Sequence, residues 1–394
     1  MNKLDLVALS YLAIYFQESI FSFDGYKNKI YFSILAYCGL VYLILRLLKK
    51  YILTKSINHK SIICVLFTIS YFLTDEKKPI IVPFIATLFI LEFKSHLKLY
   101  TFFYKIITII CFLGLINYIL FLLGVNFDFS ILDAQNELKK ASGVYYIKNY
   151  FLSLIVFPGT GILYRFQSIF EEPGTLGTLL GMLILFDGKL KKLKIERIII
   201  ILSGLLTLST AFYIFLIFKY ISYPMKNLKK MTISLVIILG FFFAGELLKS
   251  RNKDFYDKTF NKVLISYKQN NRESNEAKEI LNSFIKTKES IIGTGRKFYK
   301  DYPGIDISSW RMIIYQKGFV SLIILLLYLL YISEFKKRVF LVKLSIVFYL
   351  LSIYQRPGII SVSNIIILIC GSSYFQNQII YKNKLDPKIN KERI

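Results

Sequence analysis

The chain has 394 residues, 55% of them hydrophobic, and a mean hydropathy of +0.51. That is more apolar surface than a soluble domain of this size tolerates, so the class that remains is a protein embedded in lipid. Lysine and arginine outnumber aspartate and glutamate by 51 to 25, yet the excess does not signal nucleic-acid binding, because most of the cations gather at the ends of apolar runs, as the positive-inside bias requires.

Stretches of about 17–25 apolar residues cross a hydrocarbon core of about 30 Å. Taken in chain order, spans are predicted at 4–20, 30–48, 61–74, 79–92, 105–123, 174–187, 197–208, 210–221, 231–247, 311–332, 339–355 and 358–374. This is an all-α polytopic membrane protein, one integral domain of about twelve transmembrane helices. The first stretch contains Asp5 and Glu18 and lacks the basic start and small-residue end of a cleavable leader, so it reads as a membrane helix. Started inside, the threading leaves Arg46 to Lys60, Lys189 to Arg197, Lys226 to Lys230, Lys336 to Arg338 and the basic tail in the cytoplasm, with both termini. Short outer turns keep Lys27, Lys29, Lys77, Lys78 and Arg356. His59 and His96 fall in the inner turns, and the four cysteines lie within apolar runs, with no metal-like spacing.

The stretch 197–221 has two readings. It is long enough for a single crossing, but both flanks are basic, and one crossing would strand a basic cluster outside. Two half-length helices meeting near Ser209 and Thr210 avoid this. Each would rise ~18 Å, which puts their turn at membrane depth, tolerable if it is buried in protein or lines a wet cavity.

Two long polar segments, 125–173 and 248–310, fall on the same, external side. In the second, Phe255, Phe260, Val263 and Leu264, then Ile280, Leu281, Phe284 and Ile285, recur at helical spacing. Two amphipathic helices are predicted there, forming a partly helical cap over the bundle.

The candidate chemistry lies in these segments. In the first, Arg165 precedes Glu171, Glu172, Pro173 and Gly174. Pro173 suits the first position of a helix and Glu172 its N-cap, and the helix end makes an anion site. Gly177 and Gly181 form a pair for close helix packing. In the second, Gly293, Thr294, Gly295, Arg296 and Lys297 are followed by Asp306 and Arg311. The glycines permit unusual dihedrals beside a ligand, and the cations supply charge. A plain turn with solvated cations accounts for the second string equally well, and an ion pair with Glu171 or Glu172 is the alternative for Arg165.

The string from Arg165 through Glu172, Pro173 and Gly174 to Gly177 resembles the external-loop motif of Wzy-type polymerases, which join O-antigen or capsule repeat units. Gly293-Thr294-Gly295 followed by Gly318 in an apolar helix resembles it too. Leu206 to Thr210 is similar to the Leu-Thr-x-Ser-Arg turn of that superfamily, although Thr210 stands where the superfamily has arginine. The resemblance implies a bacterial cytoplasmic-membrane enzyme that transfers a growing glycan from undecaprenyl diphosphate onto an incoming lipid-linked unit, without a cofactor or metal. It further implies a flippase and a chain-length regulator as pathway partners. Arg165, Arg296, Lys297, Arg311 and Arg356 are then the expected diphosphate-binding residues, with Gly174, Gly293 and Gly295 beside them. Glu172, Asp306 and Glu171 are the expected carboxylates. The related O-antigen ligases carry an external histidine where Ile307 stands here, which disfavours a ligase. A lipid-linked oligosaccharide flippase is the rival class, and a nucleotide-sugar glycosyltransferase lacks an inward-facing acidic motif.

Overall fold

The structure is a computed structural model. It describes residues 1–17, 19–22, 26, 28–72, 81–125, 128–133, 146–150, 152–155, 164–188, 194–222, 274–296, 298–302, 305, 310–352 and 361–385. The predicted span 231–247, the first predicted helix of the second long segment, and Lys297, Asp306 and Arg356 lie outside the described residues.

The described chain is mainly helical. Its helices are α1 (Lys3–Tyr15), α2 (Lys29–Thr54), α3 (His59–Phe72), α4 (Ile81–Phe93), α5 (His96–Leu122), α6 (Pro173–Phe186), α7 (Lys194–Leu206), α8 (Thr210–Ser222), α9 (Asn275–Ile285), α10 (Arg311–Ile332) and α11 (Phe340–Leu351). A last helix, α12, begins at Val362–Ile365, passes through a π stretch at Ile366–Gly371 and continues as Ser372–Leu385. Three of these, α2, α5 and α10, are long and apolar enough to cross a membrane. Only 17% of the apolar window of α2 is buried, and Ile30, Leu35, Leu45 and Ile52 stand exposed along it. Such a face invites aggregation in water, whereas acyl chains are its natural surroundings. The described chain is mostly helical and compatible with a helical membrane protein.

The expectation of helix alone is corrected in the first long segment. Its described part holds a three-stranded antiparallel sheet of β1 (Ser130–Asp133), β2 (Tyr146–Asn149) and β3 (Leu154–Ile155), in that order. Ser130 faces Asn149 across the first pair, and Lys148 faces Ile155 across the second. Alternation explains it: Ile147 and Asn149 are buried while Tyr146 is exposed, a period of two that no helix can bury on one face.

The chain forms two compact units. One comprises Met1–Gln17, Ile30–Tyr100 and Asn270–Ser373, the other Glu18–Lys29, Thr101–Gln269 and Tyr374–Ile394. In the first, polar contacts gather distant turns at one end. The Met1 amine donates to Ser95 Oγ at 3.1 Å. Glu92 accepts from Lys50 Nζ at 2.5 Å, from Asn58 N at 3.1 Å and from Ser61 Oγ at 2.5 Å. Lys60 pairs with Glu334, Arg338 Nη2 donates to Ser373 Oγ at 2.8 Å, and His96 Nδ1 lies 3.1 Å from the same hydroxyl. At the other ends of these helices, Tyr15 and Ser33 share a hydroxyl bond at 2.7 Å and Ser363 donates to Gln17. These contacts join the N-terminus and the turns after α2, α4 and α10 at one end of this unit. Asp5, buried within the apolar first helix, is paired with Arg46 of α2 at 3.4 Å and Tyr42 at 2.9 Å.

In the second unit α6 packs against both α7 and α8. A methyl group on Gly177 would lie 2.6 Å from Thr207 Oγ1, and one on Gly181 would lie 2.6 Å from the Phe215 ring. Lipid tails are as apolar as leucine, so close van der Waals contact drives such packing, and only glycine allows it here. The C-terminal end of α6 is tied to Arg197 of α7 and Lys219 of α8. Asp187, the C-cap of α6, accepts from Arg197 Nε at 2.5 Å, while Lys219 Nζ donates to Leu185 O at 2.9 Å and lies 3.9 Å from the Phe375 ring centroid.

Candidate functional site

The segment 164–172 runs beside the middle of α5. Ser168 Oγ donates to Ile110 O at 3.4 Å, and Ile110 lies twelve residues before Leu122, about 18 Å along the helix at 1.5 Å per residue. A methyl on Gly114 would lie 2.7 Å from both Leu152 O and Ser168 Oγ, so this glycine of α5 is what admits the segment. Nearer the end of α5, Tyr118 Oη donates to Tyr164 O at 2.7 Å and Phe121 packs edge-on to Tyr164. Tyr150, close by, has its phenol pushed above the ordinary value by burial and then by Tyr164. Leu154 N bonds Ser168 O at 2.7 Å, and Ile20 N bonds Ile169 O at 2.8 Å. Extended backbone at such depth needs these partners, because lipid offers none.

The stretch 197–221 divides at this level. α7 ends at Leu206 and α8 begins at Thr210. Phe166 N donates to Leu206 O at 3.0 Å. Arg165 donates from Nε to Thr207 O at 2.9 Å and from Nη2 to Leu208 O at 3.0 Å. These carbonyls are the ones a helix C-terminus leaves without internal donors, and a guanidinium satisfies them with a charge that also suits the helix dipole.

Three non-glycine residues with positive φ belong to this region: Leu152 (62°), Ser168 (49°) and Leu208 (49°). Left-handed backbone costs such residues roughly 1–2 kcal/mol each. Leu208 follows the end of α7, as Lys55, Lys94 and Glu334 follow other helices, and there this conformation is ordinary, which leaves Leu152 and Ser168 as the strained pair. Strain gathered in one place points to a functional constraint. Neither Ser168 nor Leu208 stands out in the sequence, because nothing in a Ser or Leu side chain advertises a left-handed backbone.

Glu172 is the N-cap of α6 and Pro173 its first residue, as expected, but the Glu172 side chain makes no cap bond. Glu171 is buried and Gly174 lies in the first turn of α6, where its carbonyl accepts from Thr178 Oγ1 at 2.8 Å. Two carboxylates thus precede the positive end of the helix and answer its dipole themselves.

The second string is in the other unit. Gly293 (φ 87°) and Gly295 (φ 67°) do adopt the dihedrals expected of them. α10 breaks at Gly318, whose φ of 77° and ψ of 170° are not helical. Thr294 N donates to Tyr315 O at 2.8 Å and Gly295 N to Gln316 O at 3.0 Å, so the loop satisfies carbonyls that the broken helix releases. A methyl on Gly293 would meet Lys317 N at 2.6 Å, and one on Gly318 would meet the Ile291 carbonyl carbon at 2.6 Å. Arg296 is exposed beyond this contact and Arg311 opens α10. Arg165, Glu171, Glu172 and Gly174 thus lie in one unit, and Gly293, Gly295, Arg296 and Arg311 in the other.

Among the described residues no cluster of three or more His, Cys, Asp or Glu could hold a metal ion. No protein-family model, curated protein or solved structure matches this chain.

Proposed function

We propose that the chain is a polymerase of lipid-linked oligosaccharide repeat units, working in the bacterial cytoplasmic membrane at its outer face. The observation that carries this reading is the strained extended segment around Ser168, held within the helices by Arg165 and followed at once by Glu171, Glu172 and the start of α6. A rigid, over-determined backbone that presents carboxylates is what positioning of a reacting hydroxyl requires.

In this reading the bond between the anomeric carbon of the growing glycan and the diphosphate of undecaprenyl diphosphate breaks, and a glycosidic bond to a hydroxyl of the incoming unit forms. The hydroxyl proton passes to a carboxylate, Glu172 or Glu171, with Asp306 as the third candidate. Charge grows on the departing diphosphate, and Arg296, Lys297, Arg311 and Arg356 are the cations assigned to it, Arg fitting oxyanions through two parallel donors. Arg165 has Nε and Nη2 on backbone carbonyls, so we assign it as a positioning residue of the turn.

The test is deletion of the gene with the surface polysaccharide resolved on a gel. Single-repeat product is expected, and restoration of long chains by the intact gene but not by Glu172→Gln. Unchanged chain length after deletion would sink the reading. A lipid-linked oligosaccharide flippase is the second reading, favoured by the broken α10 and the buried Lys317 beside the break, since discontinuous helices and intramembrane charge mark translocation paths. Reconstituted protein that moves the glycolipid between leaflets without lengthening it would favour that reading instead.

A further inference from the structure

Between α9 and α10 the first unit carries a short clasp, from Lys286 through the 3-10 turn Lys288–Ile291 to Arg296. The bonds from Thr294 and Gly295 to Tyr315 and Gln316, and the contact of Gly293 with Gly318, fix it against α10. Those positions lie four to seven residues beyond Arg311, about 6–10 Å along the helix. In a helix apolar enough to cross a bilayer, that depth is the boundary between headgroups and acyl chains. There Ile291 and Ile292 are 51% and 75% exposed. Among the described residues of this unit, Ile57 is the one other large apolar side chain exposed outside an α-helix. Lys286, Lys288 and Arg296 stand exposed around the pair, with Glu289 as the opposing carboxylate.

We propose that this clasp is an in-plane anchor for anionic phospholipid, with Ile291 and Ile292 in the acyl boundary and Lys286 and Lys288 on lipid phosphates. An apolar wedge flanked by cations is how a segment lying in the interface binds. Backbone bonds to α10 set its depth in advance, so little ordering cost accompanies insertion. The inference rests on α10 crossing the membrane and is independent of the polymerase reading.

The chain has one tryptophan, Trp310. In a Trp310→Phe background, Ile292→Trp is placed in nanodiscs of phosphatidylcholine brominated near the glycerol, with or without phosphatidylglycerol. Bromines are expected to quench roughly half or more of a blue-shifted emission, while aqueous iodide quenches little. Emission like that of free tryptophan, open to iodide and indifferent to bromine, overturns the proposal. Lys286→Gln with Lys288→Gln is expected to abolish the additional bromine quenching that phosphatidylglycerol brings, and quenching that stays unchanged overturns the phosphate contacts. Should Trp310→Phe fail to fold, a nitroxide on Ile292→Cys in a Cys38→Ser background reads the same depth. Relaxation dominated by oxygen supports the anchor, and relaxation dominated by a water-soluble nickel chelate overturns it.

Discussion

Arg165 reaches the carbonyl of Thr207 at 2.9 Å, across forty-two residues of chain. The turn it grips is the one whose sequence resembles a polymerase signature except that Thr210 replaces arginine. Arg165, from the preceding long segment, donates to two carbonyls of that turn.

Arg165→Ala strips two buried-side carbonyls of their donors. Hydrogen bonds to charged groups are worth roughly 1.5–3 kcal/mol each, so a clear drop in the thermal midpoint of the purified, detergent-solubilised protein is expected. Arg165→Lys should recover only part of it, because an ammonium cannot reproduce the planar fork. A midpoint that does not move would show that the turn holds without this residue.

Gly293→Ala and Gly295→Ala separate backbone strain from close packing. Both have positive φ, but a methyl at 295 has nothing within 4 Å, whereas one at 293 meets the backbone of Lys317 and Gly318. Gly295→Ala should cost about 1–2 kcal/mol from dihedral strain alone. Gly293→Ala must in addition push the clasp off α10, so it is expected to be the more damaging of the two in the same unfolding assay. Equal effects would contradict the packing described.

Asp187 and Arg197 are tested by a double-mutant cycle. Asp187 is buried and Arg197 side-chain exposure is 28%, so each single change, Asp187→Asn or Arg197→Gln, leaves a poorly solvated charge. Losing one partner of a fully buried pair costs about 3–5 kcal/mol, and partial exposure lowers this to about 2–3 kcal/mol. The double variant should be less unstable than the sum of the singles. Strict additivity would mean the pair is energetically uncoupled.

Glu334 supplies a pH dependence. Burial pushes its carboxyl up, but the hydrogen bond and charge of Lys60, then the charges of Arg338 and Lys337, outweigh burial and hold it below the ordinary value. Stabilisation from this group is thus complete above the ordinary carboxylate pKa of about 4.3 and fades as pH falls through the lowered folded value. The difference in thermal midpoint between the wild type and Glu334→Gln should close as pH is taken from about 7 to about 3. A gap that persists at the acid end would contradict the assignment.

Helices were legible where one physical signal dominated. The span predicted at 311–332 coincides with α10, and Pro173 and Glu172 take their expected places at the start of α6, because apolar length and proline both act locally. The basic flanks of 197–221 pointed to a division near Ser209, and the chain does divide at Thr207–Ser209. What stayed hidden depends on partners far along the chain. The break at Gly318 is stabilised by Thr294 and Gly295, more than twenty residues earlier, and Arg165 donates to a turn forty-two residues later. The small sheet escaped because its strands are two to four residues long, too short for a period-two pattern to stand out from loop sequence.

Thirteen-residue helices such as α7 and α8 rise only about 20 Å, and irregular peptide, residues 164–172, packs at their turn. Permittivity in such a layer is low, and fields decay slowly there: two unit charges at a given separation interact several times more strongly than in bulk water. The guanidinium of Arg165, held on the carbonyls of Thr207 and Leu208, therefore acts on the groups around it more strongly than a fully hydrated cation would.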